Sequence, residues 1–311
     1  MTNSDFEGRA PSGRATSVES FQTIMGLMIT PEGIGKGLNL TLGPTDCVVT
    51  PFGKSGTTWL QQIAHTLRTR GDMDFDDISR VAPWIETSTD LGLDLDAPQG
   101  ASPRVFKSHL EAYLVPKGGR YINSCRDPRD ALLSMYKFME GWFIEPGAIS
   151  LDDFVMGVFV KAGKAATGGP GDYWSHLKSW WLRSNDPDVL FLAYEHMKDD
   201  LTSTIQRIAA FMEIELNDEL LAITENNASL PFMQAHKDRF DDKLMRERSV
   251  AVAGLPKDSD SSKVRTGQTG EARGQLSKAV LEELDAIWQE QITSEFGFSD
   301  YNEMIATLTR S

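Results

Sequence analysis

The sequence predicts an α/β fold in which a central parallel β-sheet of about five strands is flanked by helices on both faces. Three observations support this prediction. Short, nearly continuous apolar runs are typical of strands that are covered on both faces. Helix-like patterns separate these runs, as expected when crossover helices connect parallel strands. The length of 311 residues suits one large α/β domain, so we expect residues 1–311 to form a single domain.

Each element is predicted from its own local signal. Apolar residues recur at Leu60, Ile63 and Leu67 on one face of a helix, and Asp127 followed by Pro128 favours the start of another. The predicted strands are Asp46–Pro51, Arg104–Lys107, Arg120–Cys125 and Asp188–Tyr194. The predicted helices are Thr57–Thr69, Pro128–Phe138, Tyr173–Ser184, Leu201–Met212, Asp218–Asn226 and Lys278–Thr293.

Two segments show no such periodicity. Residues 1–17 are polar with mixed charge, and we expect a flexible tail there. The stretch Arg246–Ser262 reads RERSVAVAGLPKDSDSS and ends in a run of serine and aspartate. This composition predicts a mobile loop within the domain.

Composition excludes several classes of function. The formal net charge is −14, whereas a nucleic-acid surface needs clustered positive charge, so we expect no nucleic-acid partner. No apolar stretch has the length of a membrane-spanning helix, and the first residues lack the apolar core of a signal peptide. These features predict a cytoplasmic protein. Cys47 and Cys125 lie in apolar runs without C-x-x-C spacing, so we expect buried free thiols and no metal site.

The segment PFGKSGTTWL, residues 51–60, joins the first predicted strand to the first predicted helix. Gly53 and Gly56 let the backbone approach an anion, and Lys54 adds a positive charge. A helix N-terminus at the carboxyl end of a parallel strand also offers free N–H groups. Further donors are the hydroxyls of Ser55, Thr57 and Thr58. The segment therefore predicts a P-loop-type phosphate site, with a capped strand–helix turn as the structural alternative.

The Walker A pattern G-x-x-x-x-G-K-[ST] matches this segment only in part. Gly53, Lys54 and Ser55 match its last three positions, but Val48, inside the predicted strand, stands in place of the first glycine. The loop is therefore too short on its strand side to enclose a triphosphate in the usual way. A nucleotide kinase is the alternative function that this partial match leaves open.

A second segment, RVFKSHL, places a lysine and a histidine at the end of the next strand. Strand alternation puts Lys107 and His109 on one face. A neutral histidine accepts a proton near pH 7, and a neighbouring cation discourages its protonation. His109 is therefore a candidate general base, with a structural role as the alternative.

Two more segments supply basic residues. Arg126 ends a predicted strand, and Ser134 lies about two turns into the following helix, where the two can hold a second phosphate. The alternative for Arg126 is a surface pair with Asp127 or Asp130, which would contribute little stability. Arg265 and Gly267 form another basic turn that is opened by a glycine, just beyond the predicted mobile loop.

Together these motifs resemble those of the cytosolic sulfotransferase family and look like those of a bacterial-type member. They follow the family's order and span about residues 46–277. The motifs are KSGTTWL, the triplet KSH, RDPRD with a serine eight residues after its first arginine, GDYWSHLKSWW, VLFLAYEHMKDDL and R-T-G-x-x-G. The resemblance implies 3′-phosphoadenosine 5′-phosphosulfate as co-substrate, 3′-phosphoadenosine 5′-phosphate as product, and no metal.

The resemblance also implies roles by motif position. The 5′-phosphosulfate would be held by Lys54, Ser55, Gly56, Thr57 and Thr58. The 3′-phosphate would be held by Arg126, Ser134, Arg265, Thr266 and Gly267, and adenine would pack against Trp59 and Tyr194.

The sequence departs from the family's pattern in several places. Thr266 stands where a second basic residue often follows the arginine, which would weaken the hold on the 3′-phosphate. F-G-K replaces the usual Y-P-K, and E-A-R at 271–273 replaces D-W-K. The C-terminal dimer motif K-x-x-x-T-V-x-x-x-E is not recognisable, so the oligomeric state is left open.

The predicted reaction moves a sulfuryl group to a hydroxyl or amine by in-line displacement. His109 would take the acceptor's proton, Lys54 would stabilise the leaving oxygen, and Lys107 would neutralise the sulfuryl oxygens. A small molecule, lipid or glycan is the expected acceptor, and no membrane-spanning segment is expected. Candidate residues for an apolar acceptor pocket are Trp84, Trp142, Phe143, Phe154 and Phe159. A non-catalytic binder of adenosine bisphosphate is the other alternative.

Overall fold

A parallel sheet forms the centre of the molecule. The computed structural model describes residues 13–165, 172–258 and 261–308. The strands are β1 Cys47–Val49, β2 Val105–Lys107, β3 Arg120–Cys125 and β4 Val189–Ala193, and their order is β2-β1-β3-β4. Val48 pairs with Phe106 on one side and with Tyr121 on the other. Each strand lies within its predicted run, and all four carboxyl ends point to one edge of the sheet.

The prediction of about five strands is wrong, because the described residues contain four. The edge of β2 shows why pairing stops there. Lys107 donates its N–H to Pro83 O (2.8 Å) and accepts at its carbonyl from Ile85 N (2.8 Å). Since this single bridge satisfies both backbone groups at the end of β2, no further strand is needed along that part of the edge.

Helices occupy most of the remaining described chain. The α-helices are α1 Val18–Met28, α2 Pro31–Leu38, α3 Thr57–Thr69, α4 Ile78–Val81, α5 Pro128–Met139, α6 Leu151–Phe154, α7 Lys161–Ala165, α8 Tyr173–Trp181, α9 Tyr194–Asp199, α10 Leu201–Phe211, α11 Asp218–Ala228, α12 Leu230–Ala235, α13 Lys243–Ala253, α14 Lys278–Trp288, α15 Ser294–Phe296 and α16 Tyr301–Ala306. Val155–Val160 and Gln289–Thr293 are π-helical, and Lys237–Arg239 and Ala272–Gly274 are 3₁₀ turns.

Each face of the sheet has its own hydrophobic core. Side chains alternate along β1, so that Val48 enters one core while Cys47 and Val49 enter the other. Helices α1, α5, α8 and α14 cover the first face, and α3, α10 and α11 cover the second. This arrangement confirms helices on both faces. Cys47 and Cys125 are buried free thiols, as predicted.

The prediction of a loop over Arg246–Ser262 is wrong for the first half of this stretch, because residues 246–253 belong to α13. The buried residues of this helix include Met245, Ser249 and Ala253, which recur every four residues and begin before the stretch. Arg248 fastens the helix by donating from Nε to Met28 O (2.6 Å) and from Nη2 to Asp90 Oδ1 (3.1 Å). Residues 254–258 and 261–262 are not helical, and their mobility stays a prediction.

The predicted tail is also too long. Ala15 is buried, donates its N–H to Phe143 O (2.7 Å) and accepts from Glu145 N (2.9 Å). Ser17 caps the start of α1 by accepting from Ser20 N (3.2 Å). Residues 13–17 are thus tied to the domain, while residues 1–12 lie outside the described part of the chain.

Candidate active site

The predicted phosphate loop, residues 50–56, reverses the direction of the chain between β1 and α3. Lys54 (φ 67°) and Gly56 (φ 98°) both adopt the left-handed conformation, which is costly for a lysine and free for a glycine. The loop is fastened from β3, since Ser124 Oγ donates to Ser55 O (2.5 Å) and Arg126 Nη1 donates to Lys54 O (3.0 Å). The N-cap residue of α3 is Gly56, which has no side chain to cap the helix, so the first N–H groups of α3 are available to an anion.

One cavity of about 900 Å³ opens at the carboxyl edge of the sheet and brings the predicted site together. The phosphate loop, the ends of β2 and β3, α5, α9 and the turn at 265–267 all contribute to its wall. The predicted residues that line it are Gly53, Lys54, Gly56, Thr57, Thr58, Trp59, Lys107, His109, Arg126, Ser134, Tyr194, Arg265, Thr266 and Gly267.

Among the predicted donor-binding and catalytic residues, Ser55 does not line this cavity. Its side chain is fully buried and borders a separate cavity of about 10 Å³ beneath the loop, beside Asn123 and Ser124. Because the loop turns at Lys54 and Gly56, the Ser55 side chain points back under the loop. The hydroxyls of Ser55 and Thr57 are both buried and have no hydrogen-bond partner within the described residues. Thr57 differs from Ser55 in that it lines the large cavity.

Two lysines face this cavity: Lys107, buried at the end of β2, and Lys54, partly buried in the loop after β1. Lys54 Nζ lies 4.3 Å from the ring centroid of Phe138, and Lys107 Nζ lies 3.8 Å from that of Trp84. Burial, followed by repulsion from Lys263, lowers the pKa of each lysine to about 7. A bound anion would favour the charged form of both lysines, so the site is arranged to bind negative charge.

His109 is held in one tautomer. Its Nδ1 lies 2.6 Å from Pro51 O, and a carbonyl only accepts, so Nδ1 carries the proton and Nε2 keeps a lone pair. The backbone N–H of His109 donates to Glu86 Oε1 (2.6 Å). The imidazole ring packs edge to face against the Trp84 ring, with centroids 5.1 Å apart. Burial, reinforced by Lys107, lowers the pKa of His109 well below its usual value. The ring is therefore a neutral proton acceptor at pH 7.

Arg126 joins the two ends of the site. Besides its bond to the phosphate loop, its Nη2 donates to Gln268 O (2.9 Å), and its guanidinium lies 4.4 Å from the ring centroid of Tyr194. The alternative of an Arg126 pair with Asp127 or Asp130 is wrong. Asp127 pairs with Arg129 (3.2 Å), and Asp130 accepts from Gly270 N (2.5 Å) and Ala272 N (3.2 Å). Asp130 thereby anchors the basic turn that follows residue 264.

An aromatic wall lies at the same end as Arg126. Trp59 Nε1 donates to Ala228 O (2.8 Å), and the Trp59 and Tyr194 rings meet edge to face with centroids 5.9 Å apart. Both rings line the cavity, together with Ser229 and Leu230. This wall suits a flat base beside the phosphate that Arg126 would hold.

Three of the five predicted acceptor-pocket residues line the cavity: Trp84, Phe154 and Phe159. The prediction is wrong for Trp142 and Phe143, which are both buried in the core. Trp142 Nε1 donates to Ser249 Oγ (3.1 Å) on α13, so its ring packs between helices rather than over the site.

Sequence reasoning missed many of the lining residues, and two sets of them bear on the chemistry of the site. Phe21, Met25 and Ile29 reach the cavity from the region of α1, which carried no recognisable motif. Asp242 and Lys263 line the cavity as an ion pair. Lys263 is the first residue of the segment KVRTGQTG, in which Arg265 was predicted as a site residue. The positive charge of Lys263 was the one sequence feature that indicated a role for Lys263 as well.

Two features are absent from the described residues. Within residues 13–165, 172–258 and 261–308, no three His, Cys, Asp or Glu side chains come together as metal ligands would. In the same residues no helix has the length and apolar character needed to cross a membrane.

Comparison with known proteins identifies relatives of this chain. A family model described as "Sulfotransferase domain" matches residues 44–296. "Sulfotransferase 1E1" of Bos taurus is 29% identical over 265 residues, which cover 80% of this chain and 84% of that protein. The fold of the described residues also matches solved structures. The sequence identity of these matches is low, so they are evidence for the fold only.

Two such structures are similar over most of the chain. Retinol dehydratase in complex with androsterone and inactive cofactor PAP has a TM-score of 0.68 and 18% identity, covering 88% of this chain and 89% of the other. Mouse sulfotransferase SULT7A1 complexed with PAP has a TM-score of 0.64 and 21% identity, covering 85% and 91%. The bacterial type predicted from the motifs stays a prediction. With the family model spanning most of its length, this chain belongs to the sulfotransferase family.

Proposed function

We propose that this protein transfers a sulfuryl group from 3′-phosphoadenosine 5′-phosphosulfate to the hydroxyl, or the amine, of a bulky apolar acceptor. The main support for this proposal is that three groups needed for the reaction line one cavity. A phosphate loop, a second basic cluster at Arg126 and Arg265, and a neutral His109 beside Lys107 all line it. An adenosine with phosphate groups at both ends needs two anion sites on either side of an aromatic wall.

The donor fits the residues present. Lys54, Thr57 and Thr58 would hold the 5′-phosphosulfate together with the N–H groups at the start of α3. Ser55 would contribute its backbone N–H, which donates to Phe52 O (3.1 Å) in this structure, rather than its buried hydroxyl. At the other end, Arg126, Ser134, Arg265, Thr266 and Gly267 would hold the 3′-phosphate, with adenine between Trp59 and Tyr194.

The transfer step follows from the positions of His109 and the two lysines. A new bond forms between the acceptor oxygen and sulfur as the bond from sulfur to the 5′-phosphate oxygen breaks, and its electron pair leaves on that oxygen. His109 Nε2 takes the acceptor's proton, because Nδ1 is committed to Pro51 O. Lys54 stabilises the charge on the leaving oxygen, and Lys107 offsets the charge on the sulfuryl oxygens.

Two alternatives are less well supported. A non-catalytic binder of adenosine bisphosphate needs the phosphate residues only, whereas His109 and Lys107 line the same cavity with a proton-accepting nitrogen available. A nucleotide kinase would transfer phosphoryl rather than sulfuryl groups, and the family match favours sulfuryl transfer.

The acceptor end of the cavity is apolar. Its wall includes Phe21, Met25, Trp84, Phe138, Phe154 and Phe159. A related fold is described in complexes with androsterone and with retinol, which are both large apolar alcohols. We therefore propose a phenol, sterol or other lipid-like alcohol as the acceptor class, because such molecules fill an apolar cavity with one hydroxyl near His109.

The donor assignment is tested by calorimetry on the unmodified protein. We expect tight binding of 3′-phosphoadenosine 5′-phosphate and much weaker binding of ATP, because the loop cannot enclose a triphosphate. Binding should be the same with magnesium or with a chelator, since the lysines supply the counter-charge. Tighter binding of ATP that requires magnesium would show that the kinase alternative is correct.

The acceptor assignment is tested by filling the apolar end. Met25 is partly buried and lines the cavity, so Met25→Trp should exclude bulky acceptors. We expect the KM for 2-naphthol to rise by about tenfold while the KM for phenol changes less, since steric selection by an apolar pocket is of that order. Met156→Trp is the matched control, because Met156 is exposed. An equal rise for both phenols would place the acceptor elsewhere.

A further inference from the structure

A buried ion pair lies in the wall of the cavity and has no role in the reaction proposed above. Lys263 and Asp242 form it with side chains that are only 10% and 7% exposed. They line the same cavity as Lys54, Lys107 and His109. Because removing two charges from water is costly, a buried pair at an active site calls for a physical reason.

The chain holds this lysine at two points. Asp241 Oδ1 accepts from the Lys263 backbone N–H (2.7 Å) and from Ser262 Oγ (3.1 Å), while Asp242 takes the ammonium group. Asp242 itself adopts the left-handed conformation (φ 54°), and the following Leu244 N–H donates to Asp77 Oδ2 (2.9 Å). Consecutive aspartates therefore hold the backbone and the ammonium group of one lysine, which pre-organises that ammonium group.

The ammonium group of Lys263 belongs to the same cluster of charge as the two lysines of the site. Its Nζ lies 5.9 Å from the ring centroid of Phe138, the ring on which Lys54 also packs. Among the charged groups that affect Lys54 and Lys107, Lys263 has the largest effect on the pKa of each. Three lysines and one carboxylate leave an excess of positive charge that matches an anion in the cavity.

We propose that Lys263 contacts the sulfuryl oxygens of the bound donor, with Asp242 as its positioning residue. An ammonium group has three N–H donors, so one can stay on Asp242 while the others reach the ligand. Lys263 keeps its proton throughout: the acceptor's proton goes to His109, and the electron pair of the broken sulfur–oxygen bond leaves with the 5′-phosphate. The inference rests on the proposed function and adds a third cation to the transfer step.

The bisphosphate product lacks the sulfuryl group. Comparing its Kd with the Kd for the phosphosulfate therefore distinguishes a contact with the sulfuryl oxygens from a contact with the rest of the nucleotide. Lys263→Met should raise the Kd for the phosphosulfate about tenfold and leave the Kd for the bisphosphate within about twofold, as expected for one lost charge-assisted hydrogen bond. The single-turnover rate of transfer to 2-naphthol should fall by at least about tenfold. Lys263→Arg, which keeps the charge, should recover part of the rate and provides a second variant if the methionine variant does not fold.

Asp242→Asn tests the positioning role through the pH profile. Asp242 raises the pKa of both Lys54 and Lys107, so its removal should lower both and move the alkaline limb of the rate profile to lower pH. A residue that served only to hold the loop would not shift this limb. The other charged groups that act on these two lysines are Lys263, Arg126, Arg265, Glu86 and Asp77.

Lys243→Met is the matched control. Lys243 follows Asp242 directly but pairs with Asp76 at the surface (2.6 Å), with side chains 47% and 45% exposed. It should leave both dissociation constants and the rate unchanged. Equal weakening of bisphosphate and phosphosulfate binding in Lys263→Met, or no change in either, would overturn the inference while leaving the proposed function intact. If the unmodified protein does not bind the bisphosphate, the proposed function itself fails.

Discussion

His109→Ala should reduce sulfuryl transfer by about 10²- to 10⁴-fold, the range that a positioned general base contributes. The affinity for 3′-phosphoadenosine 5′-phosphate should stay nearly unchanged. His109 lies at the end of β2 with Nδ1 bound to Pro51 O, so its Nε2 serves the acceptor rather than the nucleotide. The measurement is the single-turnover rate with 2-naphthol, with the concentration of active sites fixed by bisphosphate titration.

The pH dependence of the parent enzyme gives a second measure of the same assignment. Burial and Lys107 lower the pKa of His109 well below its usual value, so the base stays neutral through the mildly acidic range. The acid limb of the rate profile should therefore lie below the ordinary range of histidine and disappear in His109→Ala.

His236→Ala is the control for this variant. Its ring stacks on Phe232 with centroids 4.2 Å apart and does not line the cavity, so activity should be retained. A purely structural role for His109 would instead lower stability and spare the rate of the folded fraction. If folded His109→Ala transfers within threefold of the parent rate, the acceptor's proton leaves by another route.

Lys54→Met should weaken donor binding and slow transfer together. Lys54 belongs to the phosphate loop, so it meets both the bound phosphosulfate and the charge that develops on the leaving oxygen. We expect the Kd for the bisphosphate to rise about tenfold to a hundredfold, as for loss of a hydrogen bond to a charged group. The rate should fall by about 10²- to 10³-fold, the cost of losing one donor to a developing oxyanion.

The low pKa of this lysine adds a signature that a neutral residue cannot give. With a pKa of about 7, Lys54 is largely uncharged at pH 8, and a bound anion favours its protonated form. Bisphosphate binding should therefore take up protons at pH 8 and weaken as pH rises through 7. Lys107, whose pKa is also about 7, contributes in the same direction. Calorimetry in two buffers of different ionisation enthalpy measures the uptake, which should fall in Lys54→Met.

Lys278→Met controls for loss of a lysine. Lys278 is 89% exposed and pairs with Glu282 on α14, so its loss should alter neither binding nor proton uptake. Unchanged affinity and unchanged proton uptake in Lys54→Met would remove this lysine from the phosphate site and leave the N–H groups of α3 as the main anion donors.

The sheet and the phosphate loop could be predicted because their signals are local. β3 has the predicted bounds, and α3 begins and ends where its apolar period and the preceding glycine indicate. Hydrophobic periodicity and turn-forming residues determine local structure over a few positions, so both can be recognised in a single sequence. Helix α13 was missed because its buried stripe begins at Leu244 and Met245, just before the stretch that reads as aperiodic.

The sequence by itself determined the fold class and the order of the strands along the chain, and nearly all the donor-site and catalytic residues predicted from it reach the cavity. Tertiary structure alone decided their chemistry. The tautomer of His109 depends on Pro51 O, the low pKa of Lys54 and Lys107 depends on burial and on Lys263, and Ser55 is turned away by the path of the loop. These properties arise from groups far apart in the chain that meet only when the sheet and its helices close around the site, because electrostatic energy depends on distance and burial in three dimensions.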